Sequence, residues 1–341
     1  MEIATPSKVL ITGGHEIGGV GSFADGLAQG FIALGVPSEV IPPSRILSHW
    51  RDLRDPTVLK ILSTSAVFAA PLARRAICIA HGVPRGDYQG WIKLLAIIGS
   101  FKLANMCAGI QLVSVSHYSA VTLRAIFNIR TDAVIHNPLK PLYLESDDEG
   151  PRKRCYITYV GRLIAAKNLH RILPAMRDLL DETPGLRACI IGDGEERSAL
   201  EAMVSDDARF EFRGTPDDRS VRETLRRTKI FVSGNEVEGF GITYLEARTQ
   251  GCIVAMPACG GGLEISLDQV GKSIQLLSLS WERSELLAAL RRALNEQCTP
   301  IPTASFTIEN VASAYLRVGS RFSMHGTVAR EGAVAIREGV Q

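Results

Sequence analysis

Short apolar runs recur along this chain, each followed by a glycine-bearing or polar turn and then by a stretch of helical composition. Lys8-Val-Leu-Ile-Thr12 opens the pattern, a glycine loop follows, and a helix is predicted from Ser22 to Leu34, ended by Gly35. Val36 to Ile41 is predicted as a second strand, and Ile77 to Ala80 and Gln111 to Val115 continue the series. Strand, loop, helix, strand is the unit of a doubly wound parallel sheet, so the chain is constrained to the α/β class. Asn137-Pro-Leu-Lys-Pro-Leu142 interrupts the pattern, and Glu145 to Pro151 is an acidic linker ending in Gly-Pro. The alternation then restarts, with strands predicted at Cys155 to Val160, Arg187 to Ile191, Arg209 to Arg213, Ile230 to Ser233 and Cys252 to Met256. Helices are predicted at Leu169 to Leu180, Glu196 to Val204, Ser284 to Asn295 and Ile308 to Phe322. Two Rossmann-like domains are therefore expected, 1–148 and 149–305, followed by a last helix over 306–322. The polar, alanine-rich stretch 323–341 is expected to be a disordered tail.

A chain of 341 residues with 46% hydrophobic and 22% charged residues has the composition of a globular protein, which excludes disordered and fibrous classes. Its net charge of +2 gives no global sign of nucleic acid. Charge is unevenly spread, however. Between Lys60 and Lys140 stand nine Lys and Arg against Asp87 and Asp132 alone, a local excess of +7. Such a region suits an anionic partner, a phosphate-bearing lipid or a membrane surface, or is simply a solvated basic face. Within it, Leu94 to Phe101 is apolar, flanked by Lys93 and Lys102 with Trp91 just outside, and reads as either a buried helix or an interfacial one. The seven cysteines form no C-x-x-C pair, so reduced thiols in a cytoplasm are expected. The first apolar run, Val9-Leu-Ile11, is too short for the core of a signal peptide, and no segment approaches the length of a membrane span.

The densest chemistry lies in Glu238-Gly-Phe-Gly-Ile-Thr-Tyr-Leu-Glu246. Two carboxylates stand eight positions apart across a glycine turn that opens a helix, whose first amides can face an anion or hydroxyls. Arg162 and Lys167 lie just beyond the strand ending at Val160, where doubly wound sheets bind ligands. The loop Gly13-Gly-His-Glu-Ile-Gly-Gly-Val-Gly21 precedes the first helix, so Gly18 and Gly19 either approach a phosphate or close a tight turn. Its spacing does not give a clean G-x-G-x-x-G, which argues against a nicotinamide oxidoreductase. His81 follows a strand and precedes Gly82, and is either structural or part of a site. Ser116 is as readily the N-cap of the next helix as a ligand contact. Neither an Asp-x-Asp pair nor a cluster of metal-ligand spacing stands out, so no metal and no cofactor are expected.

Glu238 and Glu246 resemble the E-x7-E signature of retaining glycosyltransferases with the GT-B fold, family 4. Val160-Gly-Arg-Leu-Ile-Ala-Ala-Lys-Asn168 is similar to that family's donor-diphosphate segment, Ile190-Ile-Gly-Asp-Gly194 to its next strand and turn, and Gly251 with Gly260-Gly-Gly-Leu-Glu264 to its downstream loops. The similarity covers roughly residues 7 to 322 and is most specific from 157 to 264. It implies a GT-B architecture, two Rossmann-like doubly wound sheets facing a central cleft, with the last helix packed back on the first domain. It further implies transfer of a hexose-type sugar from a UDP- or GDP-linked donor to a hydroxyl of a glycan or lipid-linked acceptor, with the anomer retained. By the same resemblance, Arg162 and Lys167 clasp the donor's phosphates, Glu246 holds ribose hydroxyls, and Glu238 and His81 face the transferred sugar. Gly192, Phe240, Gly241 and Ile242 are implied as further donor contacts. Bacterial surface polysaccharide or lipopolysaccharide assembly is the implied setting, at the inner face of the cell membrane. A sugar-nucleotide epimerase or phosphorylase of the same fold, and a noncatalytic scaffold, are the alternatives. The extra glycine of Gly260-Gly-Gly262 departs from the family pattern and implies a reshaped sugar-facing loop.

Overall fold

The computed structural model describes residues 5–13, 19–84, 90–145, 153–265, 273–298 and 301–320. The chain divides into two compact units, Met1–Pro138 with Ala304–Gln341, and Leu139–Thr303. The acidic linker falls almost wholly outside the described residues, as does the tail. Residues 139–145 pack within the second unit: Lys140 Nζ lies 2.6 Å from Asp218 Oδ2, and the Tyr143 carbonyl accepts from Gln250 Nε2 at 3.0 Å.

In the first unit, β1 (Lys8–Thr12), β2 (Ser38–Ile41), β3 (Val58–Leu62), β4 (Ala76–Ala80), β5 (Ile110–Ser114) and β6 (Ala133–Val134) form one parallel sheet ordered β2-β1-β3-β4-β5-β6. Helices α1 (Gly19–Ala33), α2 (Trp50–Arg54), α3 (Trp91–Met106) and α4 (His117–Phe127) belong to this unit. Strand β3 escapes a reading of the sequence because Lys60 stands in the middle of Val-Leu-Lys-Ile-Leu. That lysine is fully buried, and its ammonium reaches back to the carbonyls of Asp55 and Val58 (2.5 and 2.9 Å), so the strand remains apolar on both faces.

In the second unit, β7 (Tyr156–Val160), β8 (Arg187–Ile191), β9 (Phe210–Phe212), β10 (Thr228–Val232), β11 (Ile253–Pro257) and β12 (Ile274–Leu277) form a second parallel sheet, ordered β12-β11-β10-β7-β8-β9. Its helices are α5 (Leu169–Glu182), α6 (Arg197–Met203), α7 (Asp218–Arg226), α8 (Ile242–Thr249) and α9 (Arg283–Asn295). The core is built from both, with Ile157, Met176, Ile190, Val232 and Leu290 all fully buried. Polar α7 is not foreseen from composition, yet it is locally specified, since Asp217 Oδ1 accepts from the Ser220 amide at 2.7 Å.

A last helix, α10 (308–320), returns to the first unit. Arg75 Nη2 donates to the Gly319 carbonyl at 2.8 Å, and buried Tyr315 meets the edge of Phe23 at 6.3 Å. Gly30 allows the helix to seat, because a Cβ there would lie 2.3 Å from the Ile308 carbonyl oxygen. All neighbouring strand pairs are parallel, so the loops leaving the strands' carboxyl ends gather on one edge of each sheet. In the second unit the strand order reverses between β7 and β10. Doubly wound sheets open a ligand crevice at such a point, and the loops leaving these two strands carry Lys167 and Glu238.

Candidate active site

Past β10 the chain turns through 234–241 and enters α8. Gly241 takes φ 85°, a left-handed conformation that suits glycine, and stands at the head of the helix. Ser233 Oγ and Tyr244 Oη lie 2.8 Å apart, joining the end of the strand to the first turn of α8. The three glycines 260–262 have a physical reason. The Gly261 amide donates to the Glu238 carbonyl at 2.8 Å, while a Cβ on Gly260 would sit 2.6 Å from that oxygen and one on Gly261 2.2 Å from the Gly239 carbonyl oxygen. The second loop therefore lies backbone against backbone on the carboxylate turn, as no larger residue would allow.

Lys167 and Glu238 are brought together. Their Nζ and Oε2 are 3.1 Å apart, with the two side chains 23% and 22% exposed. Glu238 Oε2 also accepts from Asn235 Nδ2 at 2.6 Å. Lys167 closes a short turn (Ala165–Lys167) capped by Asn168 at φ 56°, and Asn168 Nδ2 donates to the Gly234 carbonyl at 2.9 Å, tying the β7 loop to the β10 loop. Behind them, Glu236 Oε1 takes Arg171 Nη1 at 3.0 Å, and the Arg171 guanidinium lies 3.9 Å over the ring of Trp281. Asn235, Glu236 and Arg171 escape a motif-based reading, whereas Asn168 closes the Val160–Asn168 segment. The only signal of those three is position, in the β10 loop and in the first turn of the helix that follows the β7 loop.

Arg162 is exposed directly after β7, and its carbonyl accepts from Tyr159 Oη at 2.9 Å. Gly192 follows β8 at φ 139°, so close to the first loop that a Cβ would lie 1.8 Å from the Gly161 carbonyl oxygen. Phe240 is buried within the carboxylate turn, and Ile242 is the half-buried first residue of α8.

Glu246 lies in the second turn of α8, 8% exposed, and its carboxylate makes no hydrogen bond among the described residues. Burial pushes its pKa up to about 8; Lys140 opposes that shift and Asp218 reinforces it. A carboxyl group that meets no hydrogen-bond donor among the described residues can, once ionised, accept from hydroxyls.

In the first unit His81 stands edge-on to Phe23, ring centroids 4.9 Å apart, with a buried Nε2 that has no hydrogen-bond partner among the described residues. Burial lowers its pKa to about 4, so the ring is neutral. Gly19 is the first residue of α1; Gly18 lies outside the described residues. Ser116 is an N-cap, its Oγ accepting from the Ser119 amide at 3.0 Å. Among the described residues one trio of metal-ligand type, Glu39, His49 and Asp52, has its atoms within 4.8 Å of one another. Lys8 Nζ sits 2.6 Å from Glu39 and 3.3 Å from Asp52, so an ammonium already pairs with both carboxylates.

Residues 145–301 match the family model described as glycosyl transferases group 1. That stretch is a little under half of the chain. Every residue of the β7 and β10 loops described above falls inside it. The chain is 28% identical over 138 residues to the GDP-mannose-dependent monoacylated alpha-(1-6)-phosphatidylinositol monomannoside mannosyltransferase of Corynebacterium glutamicum, across 38% of this chain and 36% of that protein. It is 27% identical over 173 residues to the lipopolysaccharide core biosynthesis glycosyltransferase LpsE of Rhizobium meliloti, across 47% of this chain and 48% of that protein. The matched stretch thus spans less than half the length of either relative. Among solved structures, Anabaena HepE in complex with UDP and glucose is similar with a TM-score of 0.66 and 16% identity, covering 95% of this chain and all of that one. WaaG, a glycosyltransferase involved in lipopolysaccharide biosynthesis, gives 0.64 and 14% over 97% of this chain and all of its own. These likenesses establish the fold: two six-stranded parallel sheets with helices, the α/β architecture of GT-B glycosyltransferases.

Proposed function

We propose that this chain is a retaining glycosyltransferase of family 4 that moves a hexose-type sugar from a nucleotide-diphosphate donor to a hydroxyl of a glycan or lipid-linked acceptor. The observation that carries this reading is Glu246, a buried carboxyl group with no hydrogen bond among the described residues, on the helix opened by the turn that holds the Lys167–Glu238 pair. Ionised Glu246 accepts two hydrogen bonds from the vicinal hydroxyls of the donor ribose. Lys167, held beside Glu238 in the free protein, turns to the diphosphate, and Arg162 joins it from the start of the same loop. As the bond from the anomeric carbon to the phosphate oxygen breaks, negative charge grows on the diphosphate, so both cations favour the transition state over the ground state. The acceptor oxygen attacks the anomeric carbon from the departing side, and its proton passes to the leaving phosphate. Glu238, freed from Lys167, accepts from sugar hydroxyls, while the amides at the head of α8 donate to the donor. Gly192 keeps the neighbouring loop close enough for this approach. The role of His81 rests on the resemblance alone; a neutral imidazole can donate or accept one hydrogen bond to the sugar. No divalent ion enters the proposal, since the cations and helix amides supply the charge stabilisation.

The names of related proteins support a nucleotide-sugar donor and a glycolipid or lipopolysaccharide product; the cytoplasmic side of a bacterial membrane is the setting proposed here. A panel of UDP- and GDP-sugars tests the reading, with released nucleotide and thermal shift as readouts in buffer containing EDTA. Turnover with one donor and stabilisation by its nucleotide are expected. No turnover with any donor, and no stabilisation by UDP or GDP, would refute it.

A further inference from the structure

We infer that helix α3 of the first unit docks on an anionic lipid surface. The helix is apolar on two opposite faces. Leu94, Ile97, Phe101 and Ala104 are buried in the unit's core, at the spacing of a single stripe. The opposite stripe, Ile92, Leu95, Gly99, Leu103 and Met106, faces solvent, with Ile92 88%, Leu95 67% and Met106 82% exposed, and Trp91 beside it is 72% exposed. An apolar helix normally hides such residues, and a contiguous exposed stripe of this kind marks a contact surface. The 3-10 segment packed against α3, Thr64–Leu72, adds exposed Phe68 and Leu72.

Charge decides the occupant. Exposed Lys93 and Lys102 flank the stripe, and the helix carries no acidic residue. At its far end, the Arg130 backbone is held by Asn105 through two hydrogen bonds of 2.9 and 3.2 Å, and the Arg74 carbonyl borders Gly109, so two further exposed arginines leave the fold next to α3. The carboxylate of Asp132 is engaged by the Leu112 amide at 2.7 Å. The structure also corrects the local excess of positive charge counted from sequence. Lys60 is buried, and Lys140 belongs to the second unit, paired with Asp218. Of the others, Lys93 and Lys102 flank the apolar stripe and exposed Arg74 and Arg130 stand beyond its far end, and apolar centre, basic rim and a tryptophan at one end together match the interface of an anionic bilayer. Among the described residues no helix is long and apolar enough to cross a membrane, so the contact is lateral. This inference stands apart from the proposed transfer reaction.

Sedimentation of the purified full-length chain with vesicles tests it, comparing phosphatidylcholine alone with phosphatidylcholine containing about 30 mol % phosphatidylglycerol. Binding to the anionic vesicles is expected, weakened by salt, with a blue shift of tryptophan emission that Trp91→Phe removes. The double variants Ile92→Ser/Leu95→Ser and Lys93→Glu/Lys102→Glu should each weaken binding by at least about tenfold. All four positions are exposed, so melting temperatures should stay unchanged. A wild-type chain that remains in the supernatant, or variants that bind like wild type, would overturn the inference. So would a lipid-free dimer that Ile92→Ser/Leu95→Ser converts to monomer, since the stripe would then belong to a second copy.

Discussion

Replacing Glu246 by glutamine keeps the shape of the side chain and removes its charge, which makes it the sharpest probe of the site. Burial moves the carboxyl pKa from 4.5 to about 8 in the folded chain. A group whose folded pKa is raised binds more protons folded than unfolded, so its contribution to stability is full below pH 4.5 and is lost as pH rises toward 8. Over that window the loss is on the order of 5 kcal/mol, at about 1.4 kcal/mol per pH unit. Glu246→Gln has no such dependence. Melting temperature should therefore be measured for both proteins from pH 5 to pH 9, where every other titrating group cancels in the difference. The variant should gain steadily on wild type as pH rises, and above pH 8 it should be the more stable protein. A difference that stays flat, or one that favours wild type at high pH, would refute the claim that an uncompensated carboxyl is buried here. The same substitution should weaken binding of the cognate nucleotide by about 2 kcal/mol, roughly thirtyfold in Kd, because two charge-assisted hydrogen bonds to the ribose are lost. Saturating nucleotide should also flatten the wild-type pH curve, since a hydrogen-bonded diol favours the ionised form.

Lys167→Ala should lower turnover by about a hundredfold or more. It should leave unfolding free energy within about 1 kcal/mol of wild type, since a partly exposed pair contributes little; nucleotide release and urea unfolding report the two. Asn235→Ala should reduce turnover without unfolding the chain, because it frees the Glu238 carboxylate from its 2.6 Å anchor, and an unchanged kcat would remove Asn235 from the site. Gly192→Ala should destabilise the second unit by about 2 to 4 kcal/mol in chemical denaturation, as a Cβ cannot coexist with the Gly161 carbonyl oxygen 1.8 Å away without backbone movement.

The α/β class was legible because strands buried on both faces of a parallel sheet are written as uninterrupted apolar runs. The carboxylate turn was legible as well: Ile242–Thr249 is the helix its composition indicates, and a glycine at positive φ heads it. Strand β3 was hidden by Lys60, whose hydrocarbon stem counts as apolar only once its ammonium has found two carbonyls. Strand β12 and helix α7 were hidden for related reasons, one lying beside residues of weak pattern and the other being nearly all polar outside its buried Val221 and Leu225.

Sequence alone determined the kinds of residue carried by the two loops and the strand ends from which they hang, since local pattern specifies strands, turns and caps. It could not say that Lys167 rests on Glu238 or that Glu236 and Arg171 buttress the pair, because strand order, not chain order, makes β7 and β10 neighbours. Nor could it tell which lysines of the basic stretch face solvent and which are buried or paired. Tertiary packing decides both, through which faces are covered and how far each charge stands from a partner that can satisfy it.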